Sequence, residues 1–234
     1  MWPSVQAYFR AFTTQFEGCV PYMYLDIKGL VTVGVGNLVD PVEAAQALPF
    51  QFKNQPGIAA PGSAATADEI AAEWATLKNN PSLASRGFTA CEPITQLELS
   101  NDSINTLVMT KLSQDESFLK RQQWFSNFDT WPADAQMGLL SMAWAMGPAG
   151  PGAFPNFRAA CQNLQFSVAA AQCQMNAAGN PGLIPRNRAN FTLFSNAAVV
   201  VASGVSSGFQ SASLYYPQQL TAAAAGQATS LSAS

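Results

Sequence analysis

One stretch near the N-terminus, residues 17–36, decides the fold: Glu-Gly-Cys-Val-Pro-Tyr-Met-Tyr-Leu-Asp-Ile-Lys-Gly-Leu-Val-Thr-Val-Gly-Val-Gly. Two runs rich in β-branched and aromatic residues flank residues 26–29, which predicts a short hairpin with its turn at that point. Before this stretch, apolar residues recur at helical spacing, so residues 3–17 are predicted to form an amphipathic helix that ends at Gly18. A helix therefore leads directly into a small antiparallel hairpin.

Helical patterns dominate the rest of the chain. Thr66 and Glu69 form a capping box that opens a predicted helix ending near Lys78, and Glu69 and Glu73 are expected on its solvated face. Further helices are predicted over residues 95–121, 133–146, 154–164, 166–176 and 186–203. The run 133–146 is almost without charge, so we expect it to be a buried central helix.

The composition excludes several classes of protein. The chain has 234 residues, 48% of them hydrophobic, which suits one domain or one domain built from two lobes. It contains no histidine, so Ser-His-Asp catalysis, Cys-His catalysis and the common zinc sites are excluded. A net charge of −3 gives no electrostatic footprint for nucleic acid, and no long apolar run predicts a membrane span. Acid–base chemistry would fall to carboxylates, and we predict no metal and no cofactor.

The four cysteines leave two interpretations open. Cys19, Cys91, Cys161 and Cys173 form no Cys-x-x-Cys pair and do not mark a small disulfide scaffold. They can be small buried hydrophobic residues, or they can form one or two disulfides in an oxidising compartment, with Cys161 and Cys173 the best-placed pair.

Two carboxylates in the deciding stretch lie in contrasting environments. Glu17 stands at the predicted C-terminal end of a helix, where the macrodipole and apolar neighbours both favour the protonated form that a general acid needs. Asp26 opens the hairpin turn, a polar place where a carboxylate stays ionised. Such a pair suits glycoside hydrolysis. The alternative is ordinary turn chemistry at Asp26 and a solvated Glu17.

The residues of this stretch resemble the active-site segment of phage-type lysozymes, glycoside hydrolase family 24. The resemblance is carried by Glu17, Gly18, Tyr24, Asp26, Gly29, Thr32, Gly34, Gly36 and Leu38. The spacing 17–26–32 matches that family's Glu, Asp and Thr without a gap. Residues 134–156 resemble its central helix and the following turn, and residues 185–189 resemble its Asn-Arg-Ala segment. Residues 40–94 match the family poorly.

The resemblance implies a mostly helical α+β fold, in which a small β-hairpin lobe and a larger helical lobe face each other across a cleft. The hairpin lobe would cover residues 18–94, and the helical lobe would cover residues 95–216 together with the first helix. The catalytic domain would then comprise residues 1–220, and we expect the low-complexity tail, residues 221–234, to be disordered.

The activity implied by the resemblance is that of a muramidase, which cuts the β-1,4 bond between N-acetylmuramic acid and N-acetylglucosamine in bacterial peptidoglycan. Glu17 would be the general acid, Asp26 the base or water-activating partner, and Thr32 would help to place the water. We expect hydrolysis with inversion of configuration.

Further positions carry supporting roles in the family. The residues expected to line the saccharide cleft are Leu38, Trp144, Phe157 and Gln172. Asn37 stands where the family usually has a histidine beside the hairpin. Arg188 is expected to reach Glu17 and to favour its charged form.

Several functional alternatives remain at this stage. The chain could be a catalytically silent peptidoglycan-binding module, although the intact Glu-Asp-Thr set argues against this. An active enzyme could be a phage endolysin released by a holin, or an antibacterial effector exported by a secretion machine such as the type VI system, with an immunity protein as partner. Residues 1–15 do not form a signal peptide, so we expect synthesis in the cytoplasm, action in the cell wall and a monomeric state.

Overall fold

The structure is a computed structural model that describes residues 1–58, 60–204 and 208–221. Helices predominate and the strands form small antiparallel sheets, so the expected mostly helical α+β class is confirmed. The α-helices of the described residues are α1 (Pro3–Glu17), α2 (Val42–Gln46), α3 (Ala67–Lys78), α4 (Asn101–Lys120), α5 (Ala133–Met146), α6 (Pro155–Gln162), α7 (Phe166–Gln172) and α8 (Leu183–Ser203). The strands are β1 (Val20–Leu25), β2 (Val31–Gly34), β3 (Asn37–Leu38), β4 (Gln51–Phe52) and β5 (Leu97–Glu98).

The chain divides into two compact units. Residues Thr13–Thr110 form the sheet-bearing unit, and Met1–Phe12 together with Lys111–Ser234 form the helical unit. Short 3₁₀ turns occupy Pro81–Arg86, Phe88–Ala90, Glu92–Ile94, Gln123–Phe125, Phe128–Thr130 and Gly150–Ala153. The division between the units falls inside α1 and inside α4, whereas the predicted lobes divided the chain at residue 94.

The sheet-bearing unit is built around a three-stranded antiparallel sheet in the order β1-β2-β3. Tyr24 pairs with Thr32 across the first hairpin, and Thr32 pairs with Leu38 across the second. Met23, on β1, and Val33, on β2, are fully buried, as expected for β-branched and large apolar residues on the core face of a sheet. The predicted hairpin is therefore confirmed, with a third short strand added to it.

A second, two-stranded sheet changes the predicted helix pattern. Gln51 pairs with Glu98 and Phe52 with Leu97, so β4 and β5 join segments that are distant in sequence. The helix predicted to start at residue 95 therefore begins only at Asn101, because residues 97 and 98 are held in an extended strand. The predicted capping box of α3 is confirmed, with Thr66 and Glu69 bonding reciprocally.

The helical unit is organised around α5, whose residues from Ala133 to Trp144 are all buried. This confirms the predicted central helix. Helix α8 packs closely against it, since a Cβ added at Gly138 would lie 2.8 Å from the ring of Phe194. Aromatic side chains fill the space around these helices: Phe125, Phe128, Trp131, Phe157, Phe166 and Phe194. The remaining predicted helices are present with shifted ends, and the tail beyond Thr221 lies outside the described residues.

All four cysteines are free. Cys91, Cys161 and Cys173 are buried and Cys19 is exposed, which agrees for three of them with the interpretation as small hydrophobic residues. Burial raises the pKa of the Cys173 thiol to about 12 and that of Cys161 well above its usual value. These thiols are therefore protonated at neutral pH, which makes them poor nucleophiles.

Candidate active site

Glu17 is the last residue of α1, and the helix ends there for a local reason. Gly18 adopts a left-handed conformation with φ of +72°, and its amide donates to the carbonyl of Thr14 at 2.9 Å. Glycine adopts this geometry without the steric cost that a side chain would bring. The Glu17 carboxylate is therefore half-buried at the C-terminal end of the helix, directly before β1.

Asp26 organises the turn between β1 and β2. Its Oδ1 accepts hydrogen bonds from the backbone amides of Lys28, at 2.8 Å, and Leu30, at 2.9 Å. The amide of Gly29 donates to the Asp26 carbonyl at 2.9 Å, which closes the turn. The turn chemistry considered from the sequence is therefore present, and it fixes the direction of the carboxylate.

Helix α3 supports this turn and the neighbouring strand through side-chain hydrogen bonds. The ammonium of Lys78, in its last turn, donates to the carbonyl of Gly29 at 2.9 Å and to Oδ2 of Asp40 at 2.7 Å. The indole of Trp74 donates to the carbonyl of Val39 at 3.0 Å. Residues 67–78 thus supply a helix that supports the hairpin. These contacts were not predicted from the sequence, because they join residues far apart in the chain.

The pKa of Tyr24 is affected by the charges of both candidate carboxylates. Burial, and after it the negative charges of Glu17 and Asp26, raises the pKa of its hydroxyl to about 12. The phenol therefore lies within electrostatic reach of both groups. Thr32, the cross-strand partner of Tyr24, is buried and its hydroxyl donates to the carbonyl of Leu30 at 3.3 Å. The predicted set of Glu17, Asp26 and Thr32 is thus gathered in one unit around this pair of strands.

The turn between β2 and β3 approaches Glu17 directly. Gly36 has φ of +70°, and a Cβ built on it would lie 3.3 Å from Oε2 of Glu17. Asn37 is buried, and its Oδ1 accepts a hydrogen bond from the amide of Val35 at 3.1 Å, so the carboxamide braces the turn. Leu38 follows with 56% of its surface exposed, which leaves it accessible to a ligand.

Two of the predicted cleft residues lie in the core of the helical unit. Trp144 is only 7% exposed, with the edge of Phe9 at 5.3 Å between ring centroids and the ammonium of Lys111 at 4.2 Å over its ring. Phe157 has no exposed surface and packs edge-on against Phe194 at 5.2 Å. A fully buried ring offers nothing to a saccharide, so the placement of Phe157 in the cleft is corrected to a core position.

The other two predicted residues of this unit are exposed. Gln172 ends α7 and accepts a hydrogen bond from Asn156 at 3.4 Å, and Arg188 lies on the exposed side of α8. The buried guanidinium of the same helix is instead that of Arg186, which donates to the carbonyl of Ser141 at 3.2 Å. Sequence reasoning did not single out Arg186. The pairing of Arg188 with the helix-terminal carboxylate stays a prediction.

Glu73 was expected on a solvated helix face, and that prediction is wrong. The side chain is 8% exposed, because it shares the buried stripe of α3 with Ile70 and Leu77. The spacing of those two apolar residues was a signal that could have revealed it. Burial raises the pKa of Glu73 to about 7.

Neither family models nor curated sequences match this chain. Among the described residues, no cluster of three or more carboxylates and cysteines is arranged to hold a metal ion. No helix in the same part of the chain is long and apolar enough to cross a membrane.

Proposed function

We propose that this protein is a lysozyme-type muramidase with a lysozyme-like fold. It would hydrolyse the β-1,4 bond between N-acetylmuramic acid and N-acetylglucosamine in peptidoglycan. The observation that carries the proposal is the close approach of the Gly36 backbone to Oε2 of Glu17. The charges of Glu17 and Asp26, which both contribute to the raised pKa of Tyr24, support it. Two carboxylates supported by one small hairpin are the minimum that glycoside hydrolysis requires.

The roles follow from the surroundings of each group. Glu17 protonates the glycosidic oxygen, and Asp26, whose direction is fixed by two backbone amides, activates water on the opposite face of the sugar. Thr32 orients that water. This arrangement requires a separation of about 6.5–9.5 Å between the two carboxyl groups and yields a product of inverted configuration. The anomer formed first, followed by NMR during hydrolysis, tests this point, and a trapped glycosyl-enzyme would contradict it.

The central experiment is a turbidity assay on purified peptidoglycan. Replacing the acid by Glu17→Gln should lower the rate by more than about 100-fold while peptidoglycan binding persists, because only the proton donor is lost. Asp26→Asn should be similarly impaired. Asp68→Asn, which makes the same change on an exposed part of α3, is the control and should be near neutral. Full activity in Asp26→Asn would show that the second carboxylate is wrongly assigned.

A catalytically silent binding module is separated from an enzyme by one further measurement. Co-sedimentation with peptidoglycan reports binding, and the release of reducing ends reports hydrolysis. Binding by the wild type without reducing ends would replace the muramidase proposal by the binding module. Arg188→Ala should shift the acidic limb of the pH–activity profile if Arg188 acts on the general acid, whereas an unchanged profile would remove it from the site.

The cellular role is a further part of the proposal. An endolysin and an exported antibacterial effector would use the same chemistry on the same wall. Expression of the chain in a Gram-negative host with an added export signal should lyse the cells, and Glu17→Gln should not. Lysis by both forms would show that the effect does not depend on hydrolysis.

A further inference from the structure

A pocket of about 400 Å³ lies within the sheet-bearing unit, between α3 and the β4–β5 sheet. One face of α3 contributes Glu69, Ala72, Glu73 and Thr76 to its wall. Apolar side chains that include Phe52 and Ile94 also line the pocket. The pocket thus combines an apolar surface with two carboxyl groups, and its lining contains no basic residue.

The two carboxyl oxygens of Glu73, which lines this pocket, are used differently. Oε2 accepts hydrogen bonds from the backbone amides of Gln96 and Leu97, which tie the segment before α4 to α3. Oε1 is buried and has no hydrogen-bond partner among the described residues. A buried polar atom without a partner is costly, so native structures commonly supply a ligand, an ion or a water at such a place. Glu73 is more than nine-tenths buried and is one of the residues that line the pocket, so a ligand bound there is placed to supply the missing donor.

The nearest buried cation cannot fill this role. The ammonium of Lys53 donates to the carbonyl and hydroxyl of Thr95, both at 2.9 Å, and to the carbonyl of Glu92 at 3.2 Å. It also lies 4.6 Å from the centroid of the Tyr22 ring. An ammonium has three N–H donors, and these three contacts use them. The charge of Lys53 acts on Glu73 from a distance but leaves Oε1 to another donor.

We propose that this pocket binds a primary ammonium group carried on a short methylene chain, with Oε1 of Glu73 as its acceptor. The exposed carboxylate of Glu69, one helical turn earlier on α3, adds negative potential at the pocket. The methylene chain lies against Phe52 and Ile94. An anion would meet two carboxyl groups, and a neutral alcohol would gain the hydrogen bond without the charge attraction. The site does not depend on the proposed muramidase activity.

Binding should depend on pH, because an ammonium needs the ionised carboxylate. Burial raises the pKa of Glu73 to about 7, so below that pH the Glu73 carboxyl is mostly protonated when no ligand is bound. The charge of Lys53, after β4, opposes this rise, as do the backbone amides of Gln96 and Leu97 that donate to Oε2. The carboxylate of Glu69 lies on the same helix and lines the same pocket. Glu92 and Glu98 act in turn on Lys53. Affinity should therefore increase as the pH rises through about 7.

The test uses the full chain and three probes of equal length in titration calorimetry at pH 8 and low salt. We expect n-pentylammonium to bind, and pentan-1-ol and pentanoate to bind at least about tenfold more weakly. At pH 6 the ammonium should bind about tenfold more weakly, following the fraction of ionised Glu73. Nα-acetyl-lysine N-methylamide separates the sources: tighter binding than pentylammonium indicates a lysine-like side chain of a peptide, and weaker binding indicates a free amine.

Matched variants decide whether Glu73 is the acceptor. Glu73→Gln keeps one oxygen for the amides of Gln96 and Leu97, so it should fold, which circular dichroism can check. It should bind pentylammonium at least about tenfold more weakly and lose the pH dependence. Asp68→Asn makes the same charge change on α3 outside the pocket lining and should leave affinity unchanged. Ala72→Leu should block the pocket. Equal binding of the three probes, absence of binding, or retained affinity in Glu73→Gln would overturn the proposal.

Discussion

Asp134 in the helical unit and Glu73 in the sheet-bearing unit are both buried carboxylates, but they differ in how their oxygens are used. Oδ1 of Asp134 accepts from Asn196, at 2.9 Å, and from the amide of Tyr216, at 3.0 Å, while Oδ2 accepts from the amide of Tyr215, at 2.8 Å. Glu73 bonds through one oxygen alone. Similar burial therefore accompanies a fully engaged carboxylate in one unit and a half-engaged one in the other.

The difference shows what separates a structural carboxylate from one available to a ligand. Burial raises the pKa of both groups, so a raised pKa does not distinguish them. The hydrogen-bond inventory does distinguish them, because Asp134 has a donor at each oxygen and Glu73 does not. Asp134 also lies in the first turn of α5, where the helix dipole favours a negative charge. Glu73 lies in the middle of α3, without that help.

The largest expected change in stability comes from Asp134→Ala. The buried side-chain amide of Asn196 and the partly buried backbone amides of Tyr215 and Tyr216 would lose their acceptor, and we expect a loss of about 4 kcal/mol in the free energy of unfolding. Urea denaturation measures it. The control is Asp68→Ala on an exposed face, which should change stability by less than about 0.5 kcal/mol. Equal effects of the two substitutions would show that Asp134 is not structural.

Glu73→Gln should have a smaller effect with a distinct pH dependence. The pKa of Glu73 is raised from 4.5 to about 7 in the folded chain, so the folded state holds a proton that the unfolded state has lost. The group therefore makes the protein less stable as the pH rises from about 4.5 to about 7, by about 3 kcal/mol in total. Glu73→Gln removes this cost.

Measurement of the unfolding free energy of both proteins at several pH values tests whether Glu73 makes the protein less stable as the pH rises. The variant should be close to the wild type at pH 4.5 and more stable at pH 8. The comparison with Asp134 would fail if Glu73→Gln were most destabilising at high pH, because that result would identify Glu73 as an ionised structural group.

Lys53→Met tests the same comparison between Glu73 and Asp134, with a smaller expected loss in the free energy of unfolding. The substitution removes an ammonium that Thr95 and Glu92 accept from, and we expect a loss of about 2 kcal/mol. Because the charge of Lys53 lowers the pKa of Glu73, its removal should move the titration of Glu73 to higher pH, which carboxyl NMR can follow. Lys28→Met, in the exposed hairpin turn, should move neither quantity. An unmoved Glu73 titration in Lys53→Met would show that the two charges do not interact.

The elements that the sequence predicted well are those with local signals. The first helix ends at a left-handed glycine, the hairpin turns at Asp26, and α3 begins at a capping box, each within a few residues. The pairing of β4 with β5 had no such signal, because Phe52 and Leu97 meet only in the folded chain. The start of α4 was therefore predicted too early.

The features of the candidate site also divide into those with a local sequence signal and those that depend on tertiary packing. The spacing of Glu17, Asp26 and Thr32 is a local pattern, and the structure gathers these residues around β1 and β2. The support of the turn by Lys78 depends on how α3 packs, which local spacing does not specify. The burial of Glu73 did have a local signal, the spacing of Ile70 and Leu77 on the same stripe of α3. Residue type was also a poor guide to exposure, since an aromatic suited to a sugar is equally suited to a core.

The smallest expected change in stability concerns two glycines in the hairpin turns, since a side chain added at Gly36 would meet a carboxylate and one added at Gly29 would not. Both glycines have a positive φ, of +70° and +74°, so Gly36→Ala and Gly29→Ala should each cost about 1 kcal/mol. They differ in their surroundings. An added Cβ at Gly36 would lie 3.3 Å from Oε2 of Glu17, whereas one at Gly29 would meet nothing within 4 Å.

The pair of substitutions therefore separates backbone strain from displacement of Glu17. Gly36→Ala should lower peptidoglycan hydrolysis by about tenfold or more, because the added methyl group shifts the proposed proton donor by a few tenths of an ångström. Gly29→Ala should retain nearly full hydrolysis at the same loss of stability, which urea denaturation of both variants checks. Equal hydrolysis by the two variants would mean that the contact with Gly36 does not position Glu17. In that case Glu17 would resemble Asp134, whose carboxylate serves only to maintain the fold.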